Sequence, residues 1–268
     1  MRVVAIANQK GGCGKTTTAV NLGACLGALG RRTLLVDMDP QSHATVALTD
    51  PKSMGGPGVA EVLAGRVAPE DAVVAVASGL DLLGSSPRLD ELEASWNPGA
   101  ATSLVLKKAL REAGDGYDHA VLDCPPNTGP LTRAALAAAD FLVLPVETSY
   151  FALYGVGRML RLVEEEVFRR GGPLPYGVLL TLFDRRTAHA REVLMQLRGH
   201  FGKDLFNTVI GIDVRLREAA SHGRPITEYR PRSRGFQRHM ELARELTARL
   251  ASRAGRRTAA SGGSGWTN

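Results

Sequence analysis

The 268-residue sequence predicts an α/β protein with a doubly wound, mostly parallel sheet and helices on both faces. Two observations predict it. Short apolar runs alternate with segments of helical spacing along most of the chain. The carboxyl ends of several of those runs carry a glycine-rich turn or acidic residues, which is where open α/β sheets hold their ligands. With 44% hydrophobic and 22% charged residues the composition is that of an ordinary globular chain, long enough for one domain or at most two.

The elements follow in order. An apolar strand from Val3 feeds a glycine-rich turn, then a helix over residues 16–29 closed by Gly30. Residues 33–36 form the next buried strand, completing a βαβ unit, and Pro40 prevents its continuation. Residues 45–100 say less: a Pro/Gly loop over 49–58, a short helix over 59–64, one strand-like stretch over 73–83, and a short helix or loop over 85–96, with no evident chemistry. A helix over 101–113 precedes a strand over 119–123, and a helix over 131–139 precedes a strand over 141–146. A loop from Glu147 enters a helix over about 155–170 that stops at Gly171-Gly172-Pro173. Then come a strand over 176–182, a helix capped by Thr187 and running to about Phe201, a strand over 206–210, a short helix over 214–222 and a last helix over about 235–253. Residues 1–254 are expected to form a single domain and the Gly/Ser-rich residues 255–268 a disordered tail.

Charge is unevenly placed. Residues 1–149 carry 12 Lys+Arg against 16 Asp+Glu, whereas residues 150–268 carry 21 against 11, so the overall +6 belongs to the C-terminal half. A surface for a polyanion produces that asymmetry, and so does a solvated arginine-rich face. No apolar run reaches the roughly 18 residues of a membrane span, and the chain enters a strand at once instead of opening on a signal peptide, so a cytoplasmic protein is expected. Cys13, Cys25 and Cys124 form no CxxC pair and read as reduced thiols without structural metal.

The chemistry concentrates in Lys10-Gly11-Gly12-Cys13-Gly14-Lys15-Thr16-Thr17. Glycines at 11, 12 and 14 let the backbone approach phosphate oxygens or take positive φ. Lys15 supplies a point charge to the β/γ oxygens, and the Thr16 hydroxyl suits Mg²⁺. Gln9 stands where the usual G-x-x-x-x-G-K-[ST] formula has its first glycine. Two later strand ends carry carboxylates, Asp37-Met38-Asp39-Pro40-Gln41 and Asp123-Cys124-Pro125-Pro126, suited to Mg²⁺ and water chemistry beside such a loop.

The doubled lysine, Lys10 with Lys15, resembles the deviant Walker A motif of the ParA/MinD superfamily of P-loop NTPases, in which the extra lysine reaches a phosphate bound by the partner subunit. That resemblance implies a homodimer formed with ATP and Mg²⁺. It implies nucleotide contacts from Lys10 through Thr17, Mg²⁺ held by Thr16, Asp39 and Asp123 (in part through water), and catalytic roles for Lys10, Lys15 and Asp39, the last positioning the attacking water. Asn127 to Pro130 would be a second, γ-phosphate-sensing switch. The stretches around residues 179–187 and 214–226 are similar to the chromosomal, Soj-like ParA branch. There Arg186 and Arg215 fall on arginines that touch DNA, with Lys203, Arg217, Arg232 and Arg238 able to extend the patch. Gly211-Ile212-Asp213 departs from that branch by losing a positive charge and gaining a negative one near Arg215.

The resemblance implies an ATP-dependent partition ATPase, weak alone and stimulated by a ParB-like or other adaptor. It would hold double-stranded DNA non-specifically in its ATP state and release it on hydrolysis, on the nucleoid. The alternative is an orphan relative positioning a protein cargo such as a chemoreceptor array, division regulator or microcompartment. An electron carrier like the nitrogenase iron protein shares the loop but needs two cysteines per subunit for a shared cluster, and only Cys124 lies near the right surface. The membrane-binding helix that ends MinD has no counterpart in the Gly/Ser-rich sequence after residue 255, so no membrane partner is expected.

Overall fold

The computed structural model describes the chain except residues 51–54, 87, 97–99, 115, 150–151 and 262–268. Seven strands form one sheet: β1 (Arg2–Ile6), β2 (Thr33–Asp37), β3 (Val73–Ala77), β4 (Leu80–Leu83), β5 (His119–Asp123), β6 (Phe141–Glu147) and β7 (Tyr176–Thr181). Their order is β3-β4-β2-β5-β1-β6-β7, and every neighbouring pair is parallel except β3 with β4. The expected fold class is therefore the observed one.

Strand periodicity of two explains the helices on both faces. Val3 and Ala5 of β1, Leu34 and Val36 of β2, and Ala120 and Leu122 of β5 join one buried cluster. Over it lie α3 (Val59–Leu63), α5 (Arg88–Ser95), α6 (Ala100–Glu112), α7 (Pro130–Ala138), α8 (Ala152–Arg170) and α9 (Ala188–Phe201). The alternate residues Val4, Ile6, Leu35 and Val121 join a second cluster on the other face. That face is covered by α1 (Lys15–Ala28), α2 (His43–Val46), α10 (Val214–Ser221), α11 (Ile226–Tyr229) and α12 (Arg234–Ser261); a short α4 (Pro69–Ala72) precedes β3.

Register lines up the functional strand ends. Asp123 sits opposite both Ile6 of β1 and Asp37 of β2, so the strand feeding the glycine-rich turn and the two acidic strand ends finish at one level. The chain leaves β1 toward β2 on one side and reaches β6 on the other, which makes this the crevice where open α/β sheets bind ligands.

Three elements differ from expectation. The single stretch over residues 73–83 is an antiparallel hairpin turning at Ser78-Gly79, where Gly79 has φ +71°. The strand expected over 206–210 is not a ladder: Phe206 and Ile210 donate to Val178 and Leu180 of β7, but the N–H groups of Asn207 and Thr208 between them donate to the Glu245 carboxylate (2.9 and 3.0 Å). The last helix, expected to end near Arg253, continues to Ser261. An isolated glycine such as Gly255 costs only about 1 kcal/mol within a helix, and no proline stops the run. The last seven residues of the expected tail lie outside the described residues.

Candidate nucleotide site

The turn after β1 is shaped by two glycines in the left-handed region, Gly12 (φ +74°) and Gly14 (φ +85°), conformations that residues with a Cβ adopt only with strain. Gly14 is the N-cap of α1, so the loop and the first turn of that helix offer unpaired N–H donors and a positive dipole end to an anion. Lys15 is buried (6% exposed), and its ammonium donates to the Lys10 carbonyl at 2.9 Å, folding the side chain over the loop. The Thr181 hydroxyl at the end of β7 donates to the Cys13 carbonyl (2.8 Å), and the Cys13 thiol to the Lys10 carbonyl (3.2 Å). Cys13 is thus an internal clasp: burial raises its pKa, contrary to a reactive thiol. Cys25 and Cys124 are also buried, Cys25 being pushed up to about 12 by burial, so none is placed at the surface as a cluster ligand.

Lys10 is placed unexpectedly. Its ammonium forms an ion pair with Glu147 at the end of β6 and donates to Ser149 Oγ (3.1 Å), while its N–H donates to Asn8 Oδ1 (3.3 Å). Within this single chain the side chain therefore turns toward its own β6 loop. Nothing in the sequence links Glu147 or Ser149 to Lys10, which lies more than 130 residues earlier; residues 150 and 151 lie outside the described residues.

The acidic strand ends divide the work. Asp37 Oδ2 accepts from the Thr45 N–H (2.8 Å) and hydroxyl (2.7 Å), so this carboxylate anchors the turn into α2; burial pushes its pKa up to about 6. Asp39, two residues on, accepts the Gln41 N–H on Oδ1 (3.0 Å), and its carbonyl accepts the Ser85 hydroxyl (2.8 Å). Asp123 is the outlier. Both its oxygens are fully buried without a hydrogen-bond partner among the described residues. Burial first, and the neighbouring Asp37 next, hold its pKa well above the usual carboxylate range; the Thr16 hydroxyl is close enough to favour the charged form without satisfying it.

An orphaned carboxylate of this kind is costly unless a cation completes it. Asp123 with Thr16 supplies the few hard oxygen ligands that suit Mg²⁺, an ion that keeps several waters and takes phosphate oxygens for the rest of its shell. The residues present therefore fit the expected metal.

A cavity of about 600 Å³ opens beside these groups. Gly11, Gly12, Lys15, Thr16 and Asp39 line it, while Val20 of α1, Ala47, and Leu216 and Ala219 of α10 supply apolar wall and Arg224 a cation. Polar groups at one end and apolar wall at the other make a pocket for a phosphorylated planar base. The α10 wall was missed in the sequence, where Leu216 and Ala219 read as part of a DNA-facing helix and nothing local links them to α1.

The arginines sit outside the cavity. Arg186 is exposed and makes a two-point pair with Asp184 (Nε–Oδ1 2.9 Å, Nη2–Oδ2 2.7 Å); Arg215 pairs with Glu218 (2.6 Å). Arg217, also on α10, lines a small cavity with Gly14 and Thr17, adjoining the phosphate loop. Lys203 is not brought to them: it precedes Leu205, which bridges to Val178 near the amino end of β7, whereas Arg186 and Arg215 follow segments at its carboxyl end, and strands rise about 3.3 Å per residue. Asp213 stands beside Arg215, and its charge acts on that guanidinium, after the larger effect of Glu218. Its carboxylate caps α10 through the Arg215 N–H (3.0 Å) and accepts the Gly235 N–H (2.7 Å).

Comparison with known proteins agrees along nearly the whole chain. Residues 1–169 match the AAA domain family. The chromosome-partitioning ATPase Soj of Thermus thermophilus is 44% identical over 254 residues, covering 93% of this chain and 97% of its own. The sporulation initiation inhibitor protein Soj of Bacillus subtilis is 41% identical over 251 residues, covering 92% and 98%. Among solved structures, cobyrinic acid a,c-diamide synthase from Mycobacterium smegmatis, with bound ATP analogue and magnesium, superposes with a TM-score of 0.78 at 36% identity, covering 94% of this chain and 96% of that one. The likeness extends well past the phosphate loop, and the chain belongs to the ParA/MinD family, among the Soj and ParA chromosome-partitioning ATPases.

Proposed function

We propose that this chain is a partition ATPase that binds ATP with Mg²⁺ in the 600 Å³ cavity, dimerises in that state, holds double-stranded DNA without sequence preference and lets go on hydrolysis. One observation carries it: the buried Asp123, with no hydrogen-bond partner among the described residues, ends its strand beside the strand that feeds the glycine loop and feels Thr16 and Lys15, a charge arrangement that a cation and phosphates complete. The structure of the diamide synthase relative with an ATP analogue and magnesium supports the choice of nucleotide and ion.

The residues then take these roles. Backbone N–H groups from Gly11 to Thr17 cradle the phosphates and Lys15 neutralises their oxygens. Thr16 and Asp123 are the residues that would hold the ion, directly or through water. Mg²⁺ there supplies charge neutralisation on the phosphate oxygens. Asp39, fixed by Ser85 and Gln41, orients the attacking water, and the apolar wall of α10 packs the base. Lys10 exchanges Glu147 for a phosphate in the second subunit, which ties dimerisation to ATP.

Arg186, Arg215 and Arg217 give the dimer a phosphate-contacting face that positions DNA without reading sequence. An adaptor of the ParB type accelerates hydrolysis, and its identity decides whether the cargo is a chromosome, a plasmid or a protein assembly. Residues 1–254 act as one ATPase domain on the nucleoid. Among the described residues no helix is long and apolar enough to cross a membrane.

DNA co-sedimentation with ATP, ADP and no nucleotide, at two salt concentrations, tests the cycle. ATP-dependent, salt-sensitive binding is expected, and equal binding in all three states overturns it. Lys15→Ala should lose ATP binding, whereas Asp39→Ala should accumulate an ATP-bound dimer that hydrolyses slowly.

A further inference from the structure

The segment that holds Ser85 and Glu93, without evident chemistry in the sequence, meets both loops that flank the phosphate site; residue 87 within it lies outside the described residues. At its start the Ser85 hydroxyl donates to the Asp39 carbonyl (2.8 Å), and the Ser85 N–H donates to Thr45 Oγ1 (2.8 Å), which itself donates to Asp37. At its end Glu93, on α5, accepts the Leu131 N–H on Oε1 (3.3 Å). Pro130 has no N–H, so Leu131 carries the first free donor of α7, and a carboxylate there also meets the positive end of the helix. Asn127 Oδ1 accepts the Gly129 N–H (2.8 Å) and the Thr132 hydroxyl of α7 (3.5 Å), which joins the loop before α7 to the first turn of that helix. Glu93 is packed tightly against that loop: a Cβ added to Gly129 would lie 2.4 Å from Glu93 Oε1. Burial raises the Glu93 pKa against the pull of the Leu131 N–H, with the charges of Asp90 and, last, Asp39 adding to the rise.

We infer that Ser85 and Glu93 brace the Asp39 loop against the Asn127–Gly129 loop, and that Glu93 is a positioning residue for ATP hydrolysis. The inference rests on the ATPase function proposed above. Contraction of either loop around phosphate is passed to the other through Ser85 and Glu93, so that the water-orienting carboxylate and the second switch reach their working positions together. What Glu93 contributes is an acceptor to the Leu131 N–H. A glutamine at 93 keeps that acceptor and an alanine removes it.

The test compares wild type with E93A, E93Q and G129A, whose added methyl displaces the Glu93 carboxylate (2.4 Å from Oε1) and also crowds Asn127 Oδ1 (3.1 Å), so that E93A and E93Q decide the outcome. Binding of a fluorescent ATP analogue, basal hydrolysis, thermal melting and amide hydrogen exchange over residues 127–133 are measured on the full chain. For E93A and G129A, kcat should fall about tenfold, as expected for loss of one hydrogen bond's worth of positioning, with KM and nucleotide affinity within about twofold of wild type. Exchange over 127–133 should quicken in the same two variants without nucleotide. E93Q should restore both readouts to within about threefold of wild type. Wild-type kcat and exchange in E93A overturn the brace, as does E93Q behaving like E93A. A matched loss of melting temperature, affinity and kcat in E93A also overturns it, because that marks a merely structural residue. A wild-type chain that binds no ATP overturns the ATPase function itself, which separates that failure from failure of the brace.

Discussion

Lys10 and Glu147 form an ion pair inside one subunit, with Ser149 Oγ as a further acceptor of the lysine ammonium. The pair is partly exposed, 40% and 24% for the two side chains, so it is worth about 0–1 kcal/mol, little enough for a phosphate to displace it. Lys10→Ala should therefore leave ATP binding by the monomer intact and abolish the ATP-dependent dimer. Glu147→Gln should dimerise at protein concentrations up to about fivefold lower. Light scattering during size-exclusion chromatography reads both, and an ATP-dependent dimer of the Lys10→Ala chain would remove Lys10 from the interface.

The DNA face should follow the geometry more closely than the spread of basic residues. Each phosphate contact contributes about 0.9 to the slope of log affinity against log salt. Arg215→Ala and Arg217→Ala should each lower that slope by roughly this amount, whereas Lys203→Ala, at the other end of β7, should leave it unchanged. A full loss of slope in Lys203→Ala would place the DNA elsewhere.

His239 gives the fold a pH dependence of known sign. It is fully buried on α12, with Nδ1 2.8 Å from the Gly235 carbonyl and Nε2 without a partner among the described residues. Burial lowers its pKa from 6.5 to about 4, against the opposing pull of the Gly235 carbonyl and Asp213. The unfolded chain therefore binds a proton below pH 6.5 that the folded chain refuses until about pH 4. Stability is held above pH 6.5 and falls by about 3 kcal/mol as pH drops through that window. Urea unfolding of wild type and His239→Leu between pH 7 and 4 should show the extra slope only in wild type.

Gly27 on α1 meets the β3–β4 hairpin so closely that an added Cβ would lie 2.7 Å from the Ser78 carbonyl and 2.9 Å from the Gly79 backbone. Neither neighbour can rotate away. Gly27→Ala should cost about 1–3 kcal/mol in urea unfolding. Gly11→Ala, with nothing within 4 Å of the added Cβ, should leave stability unchanged, and equal losses in the two would contradict the helix-to-hairpin contact.

Local chemistry made much of this protein legible. The phosphate turn could be read because Gly12 and Gly14 occupy conformations that side chains resist, and because strand, turn and helix are neighbours in sequence. Asp39 and Asp123 could be read because strands that alternate with helices end on one side of a parallel sheet. The 206–210 segment misled because its apolar pattern fits a strand, while the partner that takes its N–H groups, Glu245, lies 38 residues away from Asn207.

By itself the sequence determined the class of fold, the glycine-rich turn after β1 and the acidic strand ends at its level, since each depends on periodicity or on a backbone conformation set within a few residues. The tertiary structure alone decided which groups stand around them. Packing α10 beside α1 turned Leu216 and Ala219 into pocket wall, folding β6 next to β1 gave Lys10 its partner Glu147, and laying α5 against α7 brought Glu93 to Leu131. Contacts separated by 38 or more residues leave no local trace, because a side chain's own neighbours in sequence do not record which distant surface it is buried against.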